Sequence, residues 1–593
     1  MNKLMIACIL LLSQVCYAQT TGTLLGINKK PALHGIRQGE AHQYKVQLQK
    51  DVLYTIAVDQ QGIDVVVFLK DSRQKTLDEK DSPTGAKGVE KISFSPDTTG
   101  SYIVTVKPLV EKENATTGNY TIQLTTVSSK LQEYSLAQLQ EDFDILKNAF
   151  IECKVGLWYS SYAAFDNMCR VQRNKLKDKN TALDLYKVLA PVTSFTREGH
   201  SSIGVPDETA DYFRQYGTYL PFFVKIIEQK VYALNDCAAF QSKGWEIASI
   251  NGIKTDSILS VFTTIEPADG YNFTSKYKWI EGAFSKYYLR FFGAPKSYDI
   301  VFVNPASGEK VMQHVAAFNA KTYNQLYAAF RKNNPAYFFT KPLTLDIDSS
   351  RGYAVLTVND FGSKQYTGRK PGFKKLLDSI FTAINARQVN NLVIDIRRNE
   401  GGSQGMEDLL LSHLITKGYL KYDYVEIPSF DYSFLQYTDY KNEADVLRKE
   451  LAEEFYQASD GRYLNKKGFY DGLAPSPVHF GGNVFILISG LTFSGGSEFA
   501  ALAKNYTKAV FIGEETGGGY YGNTSGSFLR FKLPNTGITG RIPLCKFMVH
   551  ATQDSIPFGR GVFPDHAIQP TINEVLENND VALKLAVKLM AGK

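Results

Sequence analysis

Tryptophan, methionine and cysteine are scarce in this chain of 593 residues, at 3, 7 and 6. Two of the cysteines, Cys8 and Cys16, fall in the first eighteen residues. The other four, Cys153, Cys169, Cys237 and Cys545, are too few in so long a chain for a disulfide scaffold. The sequence leaves a Cys153–Cys169 bridge open. No Cys/His spacing of the zinc type and no His-Glu-x-x-His occurs, so neither a metal nor an organic cofactor is expected. Long apolar runs are missing too. After the opening segment none approaches the roughly 18 residues a bilayer-crossing helix needs, so no membrane span is expected in the mature protein. An excess of one charge is also lacking: 66 Lys and Arg stand against 60 Asp and Glu, a net charge of +6. With no Lys/Arg-rich run there is no electrostatic footprint for nucleic acid. Glycine shows no three-residue period and the hydrophobic share is an ordinary 44%, which excludes collagen-like and disordered chains.

What is abundant is tyrosine and phenylalanine, 35 and 37 residues, a content suited to extracytoplasmic surfaces that bind peptides or sugars. The opening MNKLMIACILLLSQVCYAQ fits that address. Lys3 is a short positive region, Leu4 to Leu12 an apolar stretch, and Cys16-Tyr17-Ala18 a small-x-small cleavage site. This is the pattern of a secretory signal over 1–18, cut after Ala18, and it predicts export across the inner membrane to the periplasm.

A single core rarely grows past about 250–300 residues, so three or four units are expected. Over 19–128, short alternating runs (YKVQL, YTIAV, VVVFL, KISFS, YIVTV, YTIQL) recur between turn residues and predict a β-sandwich. From 129 to 205 the period becomes helical, with Leu136, Leu139, Phe143, Leu146 and Phe150 at three- and four-residue steps. Strand-like runs over 206–340 surround Gly244-Trp-Glu-Ile-Ala-Ser-Ile-Asn-Gly252. Over 341–593 strands at 353–358, 391–396, 484–489 and 510–513 alternate with helices at 372–387, 404–416 and 495–505, which predicts an α/β layered core with parallel pairing. An insertion over 417–482 carries nine tyrosines, and we expect it to wall a substrate cleft.

Three phrases follow α/β strands, where ligands bind. Leu392-Val-Ile-Asp-Ile-Arg-Arg-Asn-Glu-Gly-Gly402 ends in two glycines whose N–H groups can approach a ligand closely. Ile488-Ser-Gly-Leu-Thr-Phe-Ser494-Gly-Gly-Ser-Glu-Phe499 sets Ser494 at a helix start, where unpaired N–H groups favour negative charge. Gly495 then offers its N–H to a tetrahedral oxyanion. Ser494 taken alone serves equally as a helix cap. The third phrase is Gly513-Glu-Glu-Thr-Gly-Gly-Gly519. Further on, Arg560 stands between glycines; it is suited to a substrate carboxylate or to an ion pair with Asp565.

Together with Glu198-Gly199-His200-Ser201, these phrases resemble the serine peptidase family of C-terminal processing (tail-specific) proteases, the tricorn core and interphotoreceptor retinoid-binding protein. The family's Asp-x-Arg-x-Asn-x-Gly-Gly is matched by Asp395 to Gly402, its Thr-x-Ser by Thr492-Phe493-Ser494, and its Gly-Glu-x-Thr-Gly-Gly by Gly513 to Gly518. Gly62-Ile63-Asp64-Val65, Gly100-Ser101-Tyr102 and Gly118-Asn119-Tyr120 resemble the pre-peptidase C-terminal sandwich, whose Gly-x-Tyr is structural. The 244–252 phrase resembles a PDZ turn. The resemblances imply a multidomain chain: β-sandwich, helical arm, PDZ-like domain and an α/β catalytic domain of crotonase or ClpP type. Tail-specific members use Lys as base, in a turn after the Ser. Here 514–523 holds no Lys, so His200 is the expected base, as in the tricorn-like branch, with Glu515 a candidate to orient it. Ser494 is then the nucleophile, and the N–H groups of Gly495 and of Gly401 or Gly402 hold the oxyanion. A peptide or protein substrate is expected. A binding protein on the same scaffold, or a hydrolase of non-peptide esters, are the rival readings.

Overall fold

The computed structural model describes residues 18–82, 85–110, 115–154, 158–237, 240–338, 341–366, 372–552 and 555–590. The expected leader lies outside them as far as residue 17. The chain divides into two compact units. One runs up to Lys130 and also takes Ala210–Tyr216; the other holds Leu131–Thr209 and Gly217–Lys593.

In the first unit, five strands lie in the order Ala18–Leu24, Glu40–Leu48, Gly100–Pro108, Val65–Lys70, Thr76–Lys80. Four more lie in the order Ala32–Arg37, Thr117–Thr126, Tyr54–Gln61, Lys87–Phe94. Period-2 alternation turns one face of each sheet into a common core, with Val46, Val67 and Val104 from the first and Ile56, Val58 and Ile122 from the second. The Tyr of Gly118-Asn119-Tyr120 is structural: Tyr120 is wholly buried, its hydroxyl 2.5 Å from that of Tyr44 and 2.8 Å from His42 Nδ1.

The second unit opens with α1 (Leu136–Glu152), begun by a capping box on Ser135. Leu139, Phe143, Leu146 and Phe150 form its buried stripe. Asp142 shares that face and accepts from the amide and hydroxyl of Thr536, at 2.8 and 2.6 Å, which fastens the helical arm to the far end of the chain. Cys153 at its C-cap and Cys169 in α2 (Tyr162–Arg173) are free, so the bridge left open by the sequence is not formed. Burial pushes the Cys169 thiol up to about 12. After α3 (Ala182–Phe195) the chain turns through Arg197, at φ +56°, and leads past His200 into strand β1 (Ser202–Gly204).

Residues 206–340 contain an antiparallel run of strands, Val224–Ile227, Lys230–Ala233, Glu246–Ile250, Ser297–Val303 and Lys310–Ala316. Helices α4 (Thr255–Ile265) and α5 (Thr274–Phe292) lie between the third and fourth strands. The remainder follows as β2 (Leu343–Asp348), β3 (Tyr353–Val358), α6 (Phe373–Ala386), β4 (Asn391–Asp395), α7 (Met406–Ser412), β5 (Tyr422–Ile427), β6 (Asn483–Ile488), α8 (Gly495–Tyr506) and β7 (Val510–Gly513). Strands β2-β3-β4-β6-β7 lie side by side in that order, with His566–Ala567 on the far edge. All are parallel except the β2–β3 pair. The wholly buried β4 residues Leu392, Val393 and Ile394 are the continuous apolar run that parallel strands covered on both faces require. The parallel array sends the carboxyl ends of β4, β6 and β7 to one side, and the three phrases singled out in the sequence sit there together.

Among the described residues none of the 417–482 insertion lines the cavity of Ser494 described below, whereas Tyr437, Thr438 and Asp439 line the one beside it. Strand β5 joins Phe455–Gln457, Tyr463–Asn465, Cys545–Val549 and Gly522–Ser525 in a second sheet. Two of the insertion's tyrosines are turned to packing: the hydroxyls of Tyr419 and Tyr422 donate to the buried carboxylates of Asp408 and Glu498.

Candidate active site

Beyond β6 the backbone is drawn into a tight turn by Thr492, whose hydroxyl accepts from Ser489 N (3.0 Å) and donates to Ile396 O (2.9 Å). Phe493 N donates to Asn399 O at 2.9 Å, tying this turn to the one after β4. Ser494 follows at φ +51°, ψ −126°, at the N-cap of α8. That conformation is strained for a residue with a side chain. Its hydroxyl makes no capping bond, so the cap reading of Ser494 fails and the Oγ is left to the cavity it lines.

That cavity has a volume of about 540 Å³, and its walls include His200, Gly402, Ser494, Gly495 and Phe528. His200 arrives from the other side on the loop between α3 and β1. It is 5% exposed, its ring packs tilted 4.7 Å from that of Phe493, and its Nδ1 is buried without a hydrogen-bond partner among the described residues. Burial, and after it the positive charge of Arg541, push its pKa down to about 3. The ring is therefore neutral at physiological pH, the state in which it can accept a proton.

The two glycines after β4 differ. Gly401 N–H is already given to Asn399 Oδ1 at 2.9 Å, so it is not free for an oxyanion. Its Cα instead packs against the Ser494 turn, and a Cβ there would stand 2.7 Å from Ser494 Cβ and from Gly495 N. The Gly402 and Gly495 amides line the cavity and find no acceptor among the described residues. Gly402, at φ +155°, leaves no room for a side chain, since a Cβ would lie 2.1 Å from Phe361 C.

Glu515 does not orient His200. Its carboxylate accepts from Arg560 Nε (2.9 Å), Arg560 Nη2 (2.5 Å) and Gly561 N (2.8 Å), and it does not line the cavity. Arg560 is thereby occupied as well. Its partner is Glu515 rather than Asp565, which holds Lys504 at 2.6 Å and the amide of Phe511 at 2.8 Å. The pair fastens the turn after β7 to the 557–561 loop.

Three residues with functional weight escaped the sequence. Asp269, in the loop between α4 and α5, accepts from the amides of Gly199 (2.8 Å) and Gly519. One buried carboxylate thus joins the His200 loop to the glycine turn after β7. That turn packs on the one that carries Ser494, Gly517 N donating to Thr492 O at 2.9 Å. Burial, opposed by those two amides, raises the Asp269 pKa to about 7. Lys421 lies beneath the cavity, its Nζ 2.7 Å from Glu407, 2.5 Å from Asp408 and 2.9 Å from Glu498. Burial alone would lower its pKa, but Glu498, Tyr422, Glu407 and Asp408 raise it well above the ordinary value. Lys421 stays charged and does not replace the missing lysine base. The third is Arg541, whose Nε donates to His200 O at 2.9 Å. None of the three stands in a recognisable phrase; only the fold brings them to the cavity.

Residues 352–568 match peptidase family S41. No curated protein matches the chain. Among solved structures, a serine-to-alanine mutant of CPAF is 13% identical, with a TM-score of 0.54 over 76% of this chain and 97% of that one. Mature CPAF is 14% identical, with a TM-score of 0.50 over 77% and 96%. At these identities the likeness is one of fold. A serine held at a strained helix start and the turns after β4 and β7, in the family's order, all lie within the stretch of this chain that matches the serine peptidase family S41.

Proposed function

We propose that the chain is an exported serine peptidase that cleaves peptide bonds through an acyl-enzyme. The observation that carries the reading is Ser494: a hydroxyl at positive φ, uncapped, in a cavity shared with a neutral, buried His200 and two amides that lack acceptors. In this mechanism His200 takes the Ser494 proton as Oγ attacks the scissile carbonyl. The Gly402 and Gly495 amides receive the oxyanion; its collapse breaks the C–N bond as His200 passes its proton to the leaving amine, and water, deprotonated by His200, then releases the acyl group. The leader pattern over 1–18 supports a periplasmic location. The PDZ-like segment supports a role in presenting substrate, since Glu266, Pro267 and Trp279 from 206–340 help to line the cavity. Selection of carboxyl-terminal regions is the finer form of this proposal.

A peptide library digested with wild type, Ser494→Ala and His200→Ala tests it. Cleavage by wild type and loss of at least about a thousandfold in both variants is expected. Turnover that survives Ser494→Ala overturns the mechanism.

A further inference from the structure

Arg560, which the sequence offered to a substrate carboxylate or to Asp565, is spent on Glu515; the cavity holds another cation. Arg541 lies on strand β9 (Thr539–Ile542), which pairs with β8 (Leu529–Lys532) on one side and with β1 on the other. Its register partner is Ser202, two residues past His200. Register and the bond from Nε to His200 O therefore fix the guanidinium against the base loop. It stacks on the Phe528 ring, 4.9 Å from the centroid. It lines the catalytic cavity and also the neighbouring one of about 520 Å³, which Ser202 shares.

This half-buried guanidinium forms no ion pair with any described residue. The carboxylates of the catalytic cavity are engaged elsewhere or stand apart. Glu407 and Glu498 are on Lys421, Glu266 takes the hydroxyl of Tyr287, and Glu400 is exposed. In the neighbouring cavity Asp439 pairs with Arg530 at 3.8 Å. Lys532 adds a further positive charge there, so that cavity has three cations and one carboxylate. Burial, and then Arg530, lower the Arg541 pKa; no carboxylate acts in the opposite sense. A half-buried cation without a counter-ion loses part of its hydration with no ion pair in return, an arrangement that a fold does not need for itself. The planar fork of a guanidinium matches a carboxylate in two parallel hydrogen bonds.

We propose that Arg541 is a specificity-determining residue that receives a carboxylate of the substrate, on an acidic side chain or at a peptide C-terminus, beside the scissile bond. The assignment rests on the peptidase reading. It places the substrate across both cavities, the reacting carbonyl at Ser494 and the anion over the β1–β9 ribbon.

The test uses two pairs of synthetic peptide libraries and kcat/KM. In one pair the acidic residues are present or replaced by their amides; in the other the C-terminus is a free carboxylate or a carboxamide. Wild type is expected to prefer the carboxylate member of one pair by about tenfold or more, and that pair identifies the source of the anion. Arg541→Gln is expected to bring that ratio near parity, and Arg541→Lys to keep part of it. Equal rates for both members of both pairs in wild type overturn the assignment, as does a preference that survives in Arg541→Gln. The wild-type comparison stands without any variant, should the substitutions prevent folding. A Ser494→Ala control separates the two claims. Turnover that persists in it overturns the peptidase reading, whereas Ser494-dependent turnover without a carboxylate preference overturns only the role of Arg541.

Discussion

His200 and Asp269 sit on either side of Gly199, and burial moves their protonation in opposite directions. A histidine pushed down to about 3 stays neutral far into acid. The free-enzyme profile of kcat/KM should therefore lose its acid limb below about pH 5 instead of near 6.5. A limb between pH 6 and 7 contradicts the placement of His200. The same shift acts on stability. Between about pH 3 and 6.5 the unfolded chain binds a proton at this residue and the folded chain does not, so its contribution falls as the pH drops. Asp269 has the reverse sign. Its folded pKa of about 7 lies above the ordinary value of 3.8, so between those values the folded chain holds a proton that the unfolded chain has released, and stability falls as pH rises from about 4 to 7 and levels off above that. Asp269→Asn keeps an acceptor for the two amides without the charge. Its melting temperature relative to wild type should rise between pH 5 and pH 8; a constant difference counts against the burial of that carboxylate. Glu515 provides the comparison. Bound to Arg560 outside the cavity, it is removable, and Glu515→Gln should keep kcat/KM within a few fold of wild type. The sequence brought Ser494, His200, Gly402 and Gly495 forward because each stands in a phrase with its own local geometry. It misassigned Glu515 and Gly401 because a motif does not say which neighbour takes up a carboxylate or an N–H. Arg541 was invisible, since only the β1–β9 register brings it to His200.

At the scale of elements, the site is built on the first turns of two helices. Glu407 lies in the opening turn of α7 and Glu498 in that of α8, and both reach Lys421 just before β5. Carboxylates at helix N-termini are favoured by the helix dipole, and a single buried ammonium binds the two helix starts together below Ser494. Lys421→Met should cost about 3–5 kcal/mol in denaturant unfolding at neutral pH, since three buried carboxylates lose their counter-ion. Burial already raises the pKa of Glu407 and Asp408, so protonation at lower pH should recover part of that loss. An equal loss at pH 5 and pH 8 contradicts this account of the floor. The strands and helices themselves were legible from period and run length. The part played by the tyrosine-rich insertion was not. Aromatic composition does not distinguish residues that face a cleft from residues that pad its floor, and Tyr419 and Tyr422 belong to the floor.

At the scale of the whole molecule, the core of the first unit is separate from the core that runs through the helical arm, the 206–340 segment and the α/β sheet. Two cores predict two cooperative transitions in calorimetry, with active-site labelling lost in only one of them. A single transition for both contradicts their independence. The alternating runs before residue 128 made this division readable, because that pattern closes a core of its own, whereas the βα alternation after 341 shares its core with the segments before it. What joins the later segments was not readable, for Asp142–Thr536 and Asp269–Gly199 connect residues remote in sequence. The central claim is that Ser494 is a nucleophile served by His200, and a fluorophosphonate probe tests it most directly. Mass mapping of labelled wild-type protein should place one adduct on Ser494, absent in Ser494→Ala and strongly slowed in His200→Ala. No adduct on native protein, or one that persists in Ser494→Ala, would contradict it.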